Sequence, residues 1–164
     1  MESKVSVHIN QKVAVLIDGN NIGRSAAQVH NQNLMLDFDA FIPQVLGERQ
    51  LSKFYFFREG KAISEKFADR LHRNFYGIVV PCHKNADSVL TMTAIQIADK
   101  IDTIILFSGD ADYLHLVRFL KIKGVRIELA SFVKTTARAL LSEVDFHHKI
   151  EKENLFEFKN EAAA

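Results

Sequence analysis

The sequence predicts an α/β fold in which a central, mostly parallel five-stranded sheet carries helices on both faces. The chain has 164 residues, a length that fits one domain with a substantial core. Apolar residues make up 48% of the sequence and charged residues 25%, as in ordinary globular proteins. Short apolar runs alternate with segments of helical periodicity, which is typical of parallel strands joined by crossover helices.

Apolar runs predict the strands. The first, residues 13–17, is continuous and rich in β-branched side chains, as expected for a strand buried on both faces. The last alternates polar and apolar residues, which predicts a more exposed strand. The first and fourth runs are the most hydrophobic and belong at the centre, which gives the strand order 3-2-1-4-5. The five predicted strands are residues 13–17, 54–57, 77–80, 103–107 and 125–129.

The segments between these runs predict helices with one apolar face. Asp37 is placed at the N-cap of the first of them. Gly124 follows a helix with a polar stripe and is placed just after its C-terminus. The predicted helices cover residues 38–46, 62–75, 86–97, 112–123 and 136–141.

The organisation predicted along the chain is one domain over residues 12–150. Residues 1–11 form an N-terminal extension and residues 151–164 a C-terminal tail. The single cysteine, Cys82, cannot form an internal disulfide, which favours a reducing cytoplasm. No apolar run approaches the ~20 residues of a membrane span, and the N-terminus lacks the apolar core of a signal peptide. We therefore expect a cytoplasmic protein without a membrane partner.

Carboxylates follow the two strands placed at the centre of the sheet. The first ends in Asp18-Gly19-Asn20-Asn21, and the fourth in Ser108-Gly109-Asp110-Ala111-Asp112. Ligands of such sheets bind beyond the carboxyl ends of the strands where the strand order reverses. We expect Asp18, Asp110 and Asp112 to converge there, with Asp87 joining them from a helix start.

Four carboxylates repel one another, and a divalent cation removes that repulsion. Oxygen ligands favour Mg²⁺ or Mn²⁺ over zinc, as one or two ions. Each acid also has a simpler interpretation. Asp18 could be a turn residue, Asp110 or Asp112 a helix N-cap, and Asp87 a first-turn acid.

Basic residues also follow the predicted strand ends, and they could contact RNA phosphates around this crevice. Each of them could equally be a solvated surface charge, and Lys84 is the strongest because it lies within a motif. The aromatic side chains Tyr113 and Phe132 could stack on bases, although such residues more often pack in the core. The basic residues are Arg24, Arg58, Lys84 and Lys134.

Three motifs together resemble those of NYN domains, which belong to the PIN-like nuclease superfamily, and the bacterial LabA-like branch is the most similar. The motifs are residues 17–22, Lys84-Asn85-Ala86-Asp87 and residues 108–113. The resemblance implies a three-layer α/β/α sandwich and a metal-dependent ribonuclease. It implies that Asp18, Asp87, Asp110 and Asp112 hold the metal and carry catalysis. Asn21 and Ser108 also match family positions, where they can orient ligands or a phosphate oxygen.

The sequence departs from the family pattern at two positions. Asn85 stands where relatives often have glycine, and Thr93 stands where many carry a further acid, whose loss weakens a second metal position. An RNA- or nucleotide-binding module with weak or no catalysis is therefore the alternative function, and a homodimer is possible.

The charge balance is compatible with RNA. The net charge is +1, and the pI is about 7.9, whereas strongly basic nucleic-acid binders lie above ~9. Cations in the acidic pocket would make the metal-loaded protein more positive than this count. We expect modest, metal-dependent RNA affinity.

Overall fold

The computed structural model describes residues 11–31, 34–60 and 64–157. Its strands are β1 (Lys12–Asp18), β2 (Leu34–Leu36), β3 (Gln50–Glu59), β4 (Ile78–Cys82), β5 (Thr103–Phe107), β6 (Arg126–Ser131), β7 (Phe146–Lys149) and β8 (Leu155–Glu157). Its helices are α1 (Gly19–His30), α2 (Phe38–Leu46), α3 (Glu65–Phe75), α4 (Ala86–Ile97), α5 (Leu114–Ile122) and α6 (Arg138–Glu143).

The central sheet has the order β4-β3-β1-β5-β6-β7 within the described part of the chain, and all of its neighbouring strands are parallel. The order predicted for five strands is confirmed, but their number is wrong, because β7 adds a sixth strand beside β6. The prediction missed β7 because its four residues, Phe-His-His-Lys, contain no apolar run. His147 and His148 lie in this strand.

The exposure predicted for the fifth strand is also wrong. In β6 every residue after Arg126 is buried. The polar member of the alternation, Glu128, is only 2% exposed because its charge is paired inside the protein.

Helix α1 was not predicted, because its first residues, Gly19, Asn20 and Asn21, have low helix propensity. The N-cap role of Asp37 is confirmed, since its carboxylate accepts a hydrogen bond from the Ala40 N–H. The end predicted at Gly124 is confirmed too: the glycine follows α5 with a φ of +86°. The first residues of the helix predicted over 62–75 lie outside the described residues.

The alternation of β1 divides the core into two layers. Val13, Val15 and Ile17 pack with α1, α2 and α3 on one face of the sheet. Ala14 and Leu16 pack with α4, α5 and α6 on the other face. The result is the expected three-layer sandwich. No helix in the described ranges is long and apolar enough to cross a membrane.

A small second sheet joins β2 and β8 in antiparallel pairing. Residues 151–157, predicted to belong to the C-terminal tail, supply β8, and Leu155 packs against the α1–α3 core layer.

Glu128 of β6 links its own strand to β7 and to the residue Arg49 after α2. Arg49, which follows α2, donates two hydrogen bonds to its carboxylate, at 2.6 and 2.9 Å. Arg126 donates at 2.9 Å, and His148 of β7 lies 2.7 Å away. Burial raises the pKa of Glu128, but the bonds from His148, Arg49 and Arg126 outweigh burial and hold that pKa well below its usual value.

Candidate functional site

The candidate site lies at the carboxyl ends of β1 and β5, where the strand order reverses. Asp18 is the last residue of β1 and is 4% exposed. One carboxylate oxygen accepts the backbone N–H of Asn21 at 3.1 Å, which also caps α1. The other accepts the Tyr113 hydroxyl at 2.8 Å. Two donors thus fix the orientation of this carboxylate.

Burial is the main influence on Asp18 and raises the pKa of its carboxyl above the ordinary value. The hydrogen bonds from Tyr113 and Asn21 lower it, Glu59 raises it, and Arg24 lowers it. Burial wins, so the ionised form is disfavoured. A cation beside this carboxylate would restore the ionised form.

Asp110 follows β5 by three residues and caps the short 3₁₀ turn of Ala111–Tyr113. Its carboxylate accepts the Asp112 N–H at 3.0 Å, and its own N–H donates to the Ser108 hydroxyl at 3.1 Å. The prediction that Asp110 is an N-cap residue is therefore confirmed for this 3₁₀ turn. Asp112 is exposed at the rim.

Asp87 lies in the first turn of α4. Its Oδ1 is buried and has no hydrogen-bond partner among the described residues. Burial is the main cause that raises the pKa of Tyr113, and the charges of Asp18, Asp87 and Asp110 raise it further. The structure therefore brings these three carboxylates near one buried hydroxyl.

Asn21 joins the two strand-end loops. Its side-chain oxygen accepts the Gly109 N–H at 3.1 Å, so the loop after β1 is tied to the loop after β5. The neighbouring Asn20 accepts the Glu59 N–H at 2.8 Å and ties in the end of β3. The two asparagines hold three strand ends in register.

Gly109 is required by close packing. A Cβ at this position would lie 2.6 Å from the Thr135 carbonyl oxygen and 3.0 Å from the Thr136 Cα. The Gly109 carbonyl also accepts the Ala137 N–H at 3.0 Å. The segment between β6 and α6 therefore packs in direct contact with the loop that carries Asp110.

Two residues of the site were not assigned from the sequence. Tyr113, considered as a base-stacking residue, is fully buried and instead donates to Asp18. Phe132, the other residue considered for base stacking, is also buried, at 2% exposed.

The second residue that was not assigned is Glu59. It ends β3, and its carboxylate accepts the Ala86 N–H at 3.0 Å. The only available signal for Glu59 was its place at the end of a strand on the same edge.

The basic residues differ in their environments. Arg24, Lys84 and Lys134 are exposed, and Arg24 is near enough to lower the pKa of Asp18, although burial is the larger influence there. Arg58, near the end of β3, is half-buried, and its Nε has no hydrogen-bond partner in the described ranges.

The carboxylates fit a hydrated hard cation. Within residues 11–31, 34–60 and 64–157, no three His, Cys, Asp or Glu side chains are grouped closely enough to hold a metal directly. Mg²⁺ typically keeps several waters and binds through one or two carboxylates. The unpartnered Asp87 Oδ1 and the buried Asp18 supply ligands of that kind.

A model of the NYN domain family matches residues 12–151. The chain belongs to the NYN domain family. Its membership places it in the PIN-like nuclease superfamily, as the three motifs predicted. The LabA-like branch stays a prediction.

A solved structure supports the fold of this NYN domain. The crystal structure of a protein of unknown function from Vibrio parahaemolyticus superposes with a TM-score of 0.80 at 19% sequence identity. The match covers 93% of this chain and 100% of that one. No curated protein gives a significant match. The structural likeness concerns the three-layer architecture alone.

Proposed function

We propose that this NYN domain is a metal-dependent ribonuclease that hydrolyses RNA phosphodiester bonds. The proposal is supported by the geometry of three acids: Asp18 bonds to the buried Tyr113 hydroxyl at the end of β1, Asp110 follows β5, and Asp87 has a buried Oδ1 without a partner in the described structure. They lie at the reversal of strand order, which is where ligands bind in open parallel sheets.

The cofactor in this proposal is Mg²⁺ or Mn²⁺. Asp18, Asp87 and Asp110 would hold it, directly or through water, and the exposed Asp112 would extend the set at the rim. When bound, such a cation neutralises charge on the scissile phosphate and makes water a better nucleophile.

The chain itself supplies orientation. Tyr113 and Asn21 donate to different oxygens of Asp18, which restricts rotation of its carboxylate. Ser108 is fully buried and accepts the Asp110 N–H, so the loop after β5 is fixed from below. Fixed donors and acceptors need no reorganisation when charge develops on the phosphate.

RNA binding would depend on Arg58, Lys84 and Arg24. Arg58 lies near the end of β3 and is half-buried, and its guanidinium would pair with a phosphate oxygen. Lys84 and Arg24 are exposed and would add charge that salt screens. The buried thiol of Cys82 suits the cytoplasmic location we propose.

Cleavage of labelled single-stranded RNA in Mn²⁺ tests the proposal. Wild-type protein should cleave, EDTA should stop cleavage, and Asp110→Asn should reduce the rate about 100-fold or more. Asparagine keeps an oxygen that can accept the Asp112 N–H, so this variant should fold. Asp69→Asn, an exposed acid on α3, is the matched control and should cleave normally.

Two outcomes would contradict the proposal. Equal cleavage by wild type and Asp110→Asn would identify a contaminating nuclease. RNA binding that persists in EDTA, without cleavage in Mn²⁺, would instead support the binding-module alternative, which the threonine at position 93 favours.

A further inference from the structure

We propose that Glu59 is a positioning residue of this site, whose carboxylate caps α4 from the neighbouring strand and thereby places Asp87. The effect on metal binding rests on the proposed function, whereas the capping role does not. Glu59 belongs to none of the three sequence motifs.

Helix α4 needs a cap from outside its own sequence. Asn85 occupies the N-cap position but forms no side-chain capping hydrogen bond in the described structure. The first N–H groups of a helix have no partner within the helix. The Glu59 Oε1 accepts the first of them, that of Ala86, at 3.0 Å. A carboxylate is also the charge that a helix N-terminus favours.

Glu59 is itself held in place by the loop after β1. Its backbone N–H donates to the Asn20 side chain at 2.8 Å. Its strand lies between β1 and β4, and Glu59 pairs with Cys82, the last residue of β4. One residue therefore connects the first motif to the helix that begins with the second.

This connection matters for Asp87, the residue that follows Ala86. Asp87 Oδ1 makes no hydrogen bond within the described residues, so a shift in the backbone of the first helical turn would move that oxygen with it. The capping bond therefore sets the spacing between the carboxylates that the proposed cation would meet.

The test compares Glu59→Ala, which removes the acceptor, with Glu59→Gln, which keeps an amide oxygen able to accept the Ala86 N–H. Glu48→Ala and Glu48→Gln are the matched controls, because Glu48 is exposed and precedes the opposite end of β3. Mn²⁺ affinity is measured by calorimetry, and amide hydrogen exchange of residues 86–89 is measured without metal. Glu59→Leu replaces the alanine variant if circular dichroism shows that variant to be unfolded.

We expect Glu59→Ala to weaken Mn²⁺ binding about 10-fold or more and to speed exchange in the first turn of α4. Glu59→Gln should stay within about threefold of wild type in affinity and keep its protection, and both Glu48 variants should match wild type. In an Asp87→Ala background, Glu59→Ala should add little further loss, because it acts through Asp87.

Glutamine behaving like alanine would overturn the proposal, as would unchanged exchange in Glu59→Ala. A full additional loss in the Asp87→Ala background would overturn it as well. If wild type binds no Mn²⁺, the proposed function fails. The capping role is then decided by exchange alone: faster in alanine but not in glutamine supports it, and equal rates overturn it.

Discussion

At the scale of single residues, Asp18 is placed at a cost to stability. It is buried, and the pKa of its carboxyl is raised mainly by that burial. Since the pKa is higher in the folded than in the unfolded protein, the unfolded state loses its proton first as pH rises from 3.8. Stability contributed by this residue therefore falls as pH rises through the folded pKa.

Asp18→Asn should accordingly stabilise the protein at pH 7, by on the order of 1 kcal/mol, while abolishing the proposed activity. The asparagine oxygen can accept the Asn21 N–H, and its amide can donate to Tyr113 with the hydroxyl reversed. Urea unfolding as a function of pH measures the gain, which should disappear below pH 3.8, where the aspartate is protonated in both states.

Asp37→Asn is the control, because asparagine caps a helix as well as aspartate does. Its stability should equal that of wild type at pH 7. If Asp18→Asn were clearly less stable than wild type at pH 7, burial of the ionised Asp18 carboxylate would not be a cost to stability.

The positions of Asp18 and Asp110 could be predicted from the sequence because each follows from a strand end, while their role as metal ligands stays a prediction. Asp18 and Asp110 come after the two most apolar runs, and strand order alone brings them together. The roles of Tyr113 and Glu59 could not be predicted in the same way. Both depend on which side chain a distant element presents, and periodicity carries no information about that.

At the scale of elements, the loop after β5 is fixed by contact with the segment between β6 and α6. Gly109→Ala places a methyl group against backbone atoms, 2.6 Å from the Thr135 oxygen, which side-chain rotation cannot relieve. We expect a loss of about 1–3 kcal/mol in the free energy of unfolding, measured in urea.

Gly23→Ala is the matched control. Gly23 lies within α1 with no described atom within 4 Å of its added Cβ. Because alanine favours a helix, this change should add about 0.5–1 kcal/mol. If both alanine variants changed stability equally, close packing at Gly109 would not be the constraint.

At the scale of the whole molecule, the buried Glu128 cluster connects the end of α2 with two strands at one side of the sheet. The folded pKa of Glu128 lies below the unfolded value of 4.5, despite burial, because His148, Arg49 and Arg126 bind its carboxylate. Its contribution to stability is therefore complete above pH 4.5 and is lost as pH falls toward the folded pKa.

Glu128→Gln should destabilise the protein at pH 7 by about 1–3 kcal/mol, since it replaces a buried carboxylate that accepts two hydrogen bonds from the half-buried Arg49 with a neutral amide. Glu143→Gln is the control: it weakens contacts with Arg118 and Lys121 nearer the surface and should cost less than about 1 kcal/mol. Urea unfolding at pH 7 and below pH 4.5 checks both. A gap between wild type and Glu128→Gln that widens in acid would contradict this account.

Strand order could be predicted for most of the sheet because hydrophobicity ranks strands by how central they are. That ranking fails for β7, which is a polar edge strand. It is held in the sheet by backbone pairing with β6 and by side-chain hydrogen bonds of His147 and His148. Ser131 bonds the first of these histidines at 2.9 Å, and Glu128 bonds the second at 2.7 Å. These hydrogen bonds join residues that are distant in the sequence, so the apolar pattern of β7 alone does not predict them.

The division of the core by β1 separates the tasks of the two helical layers. The carboxylate of Asp18 meets Tyr113, which packs in the α4–α6 layer, and Asp87 belongs to α4 itself. The α1–α3 layer packs on the alternate side chains of the same strand. Substitutions on the outer surfaces of α2 and α3 can therefore accumulate without moving these acids. The α4–α6 layer carries Tyr113 and Asp87, whereas the other layer contributes to the site through Asn20 and Asn21 at the start of α1.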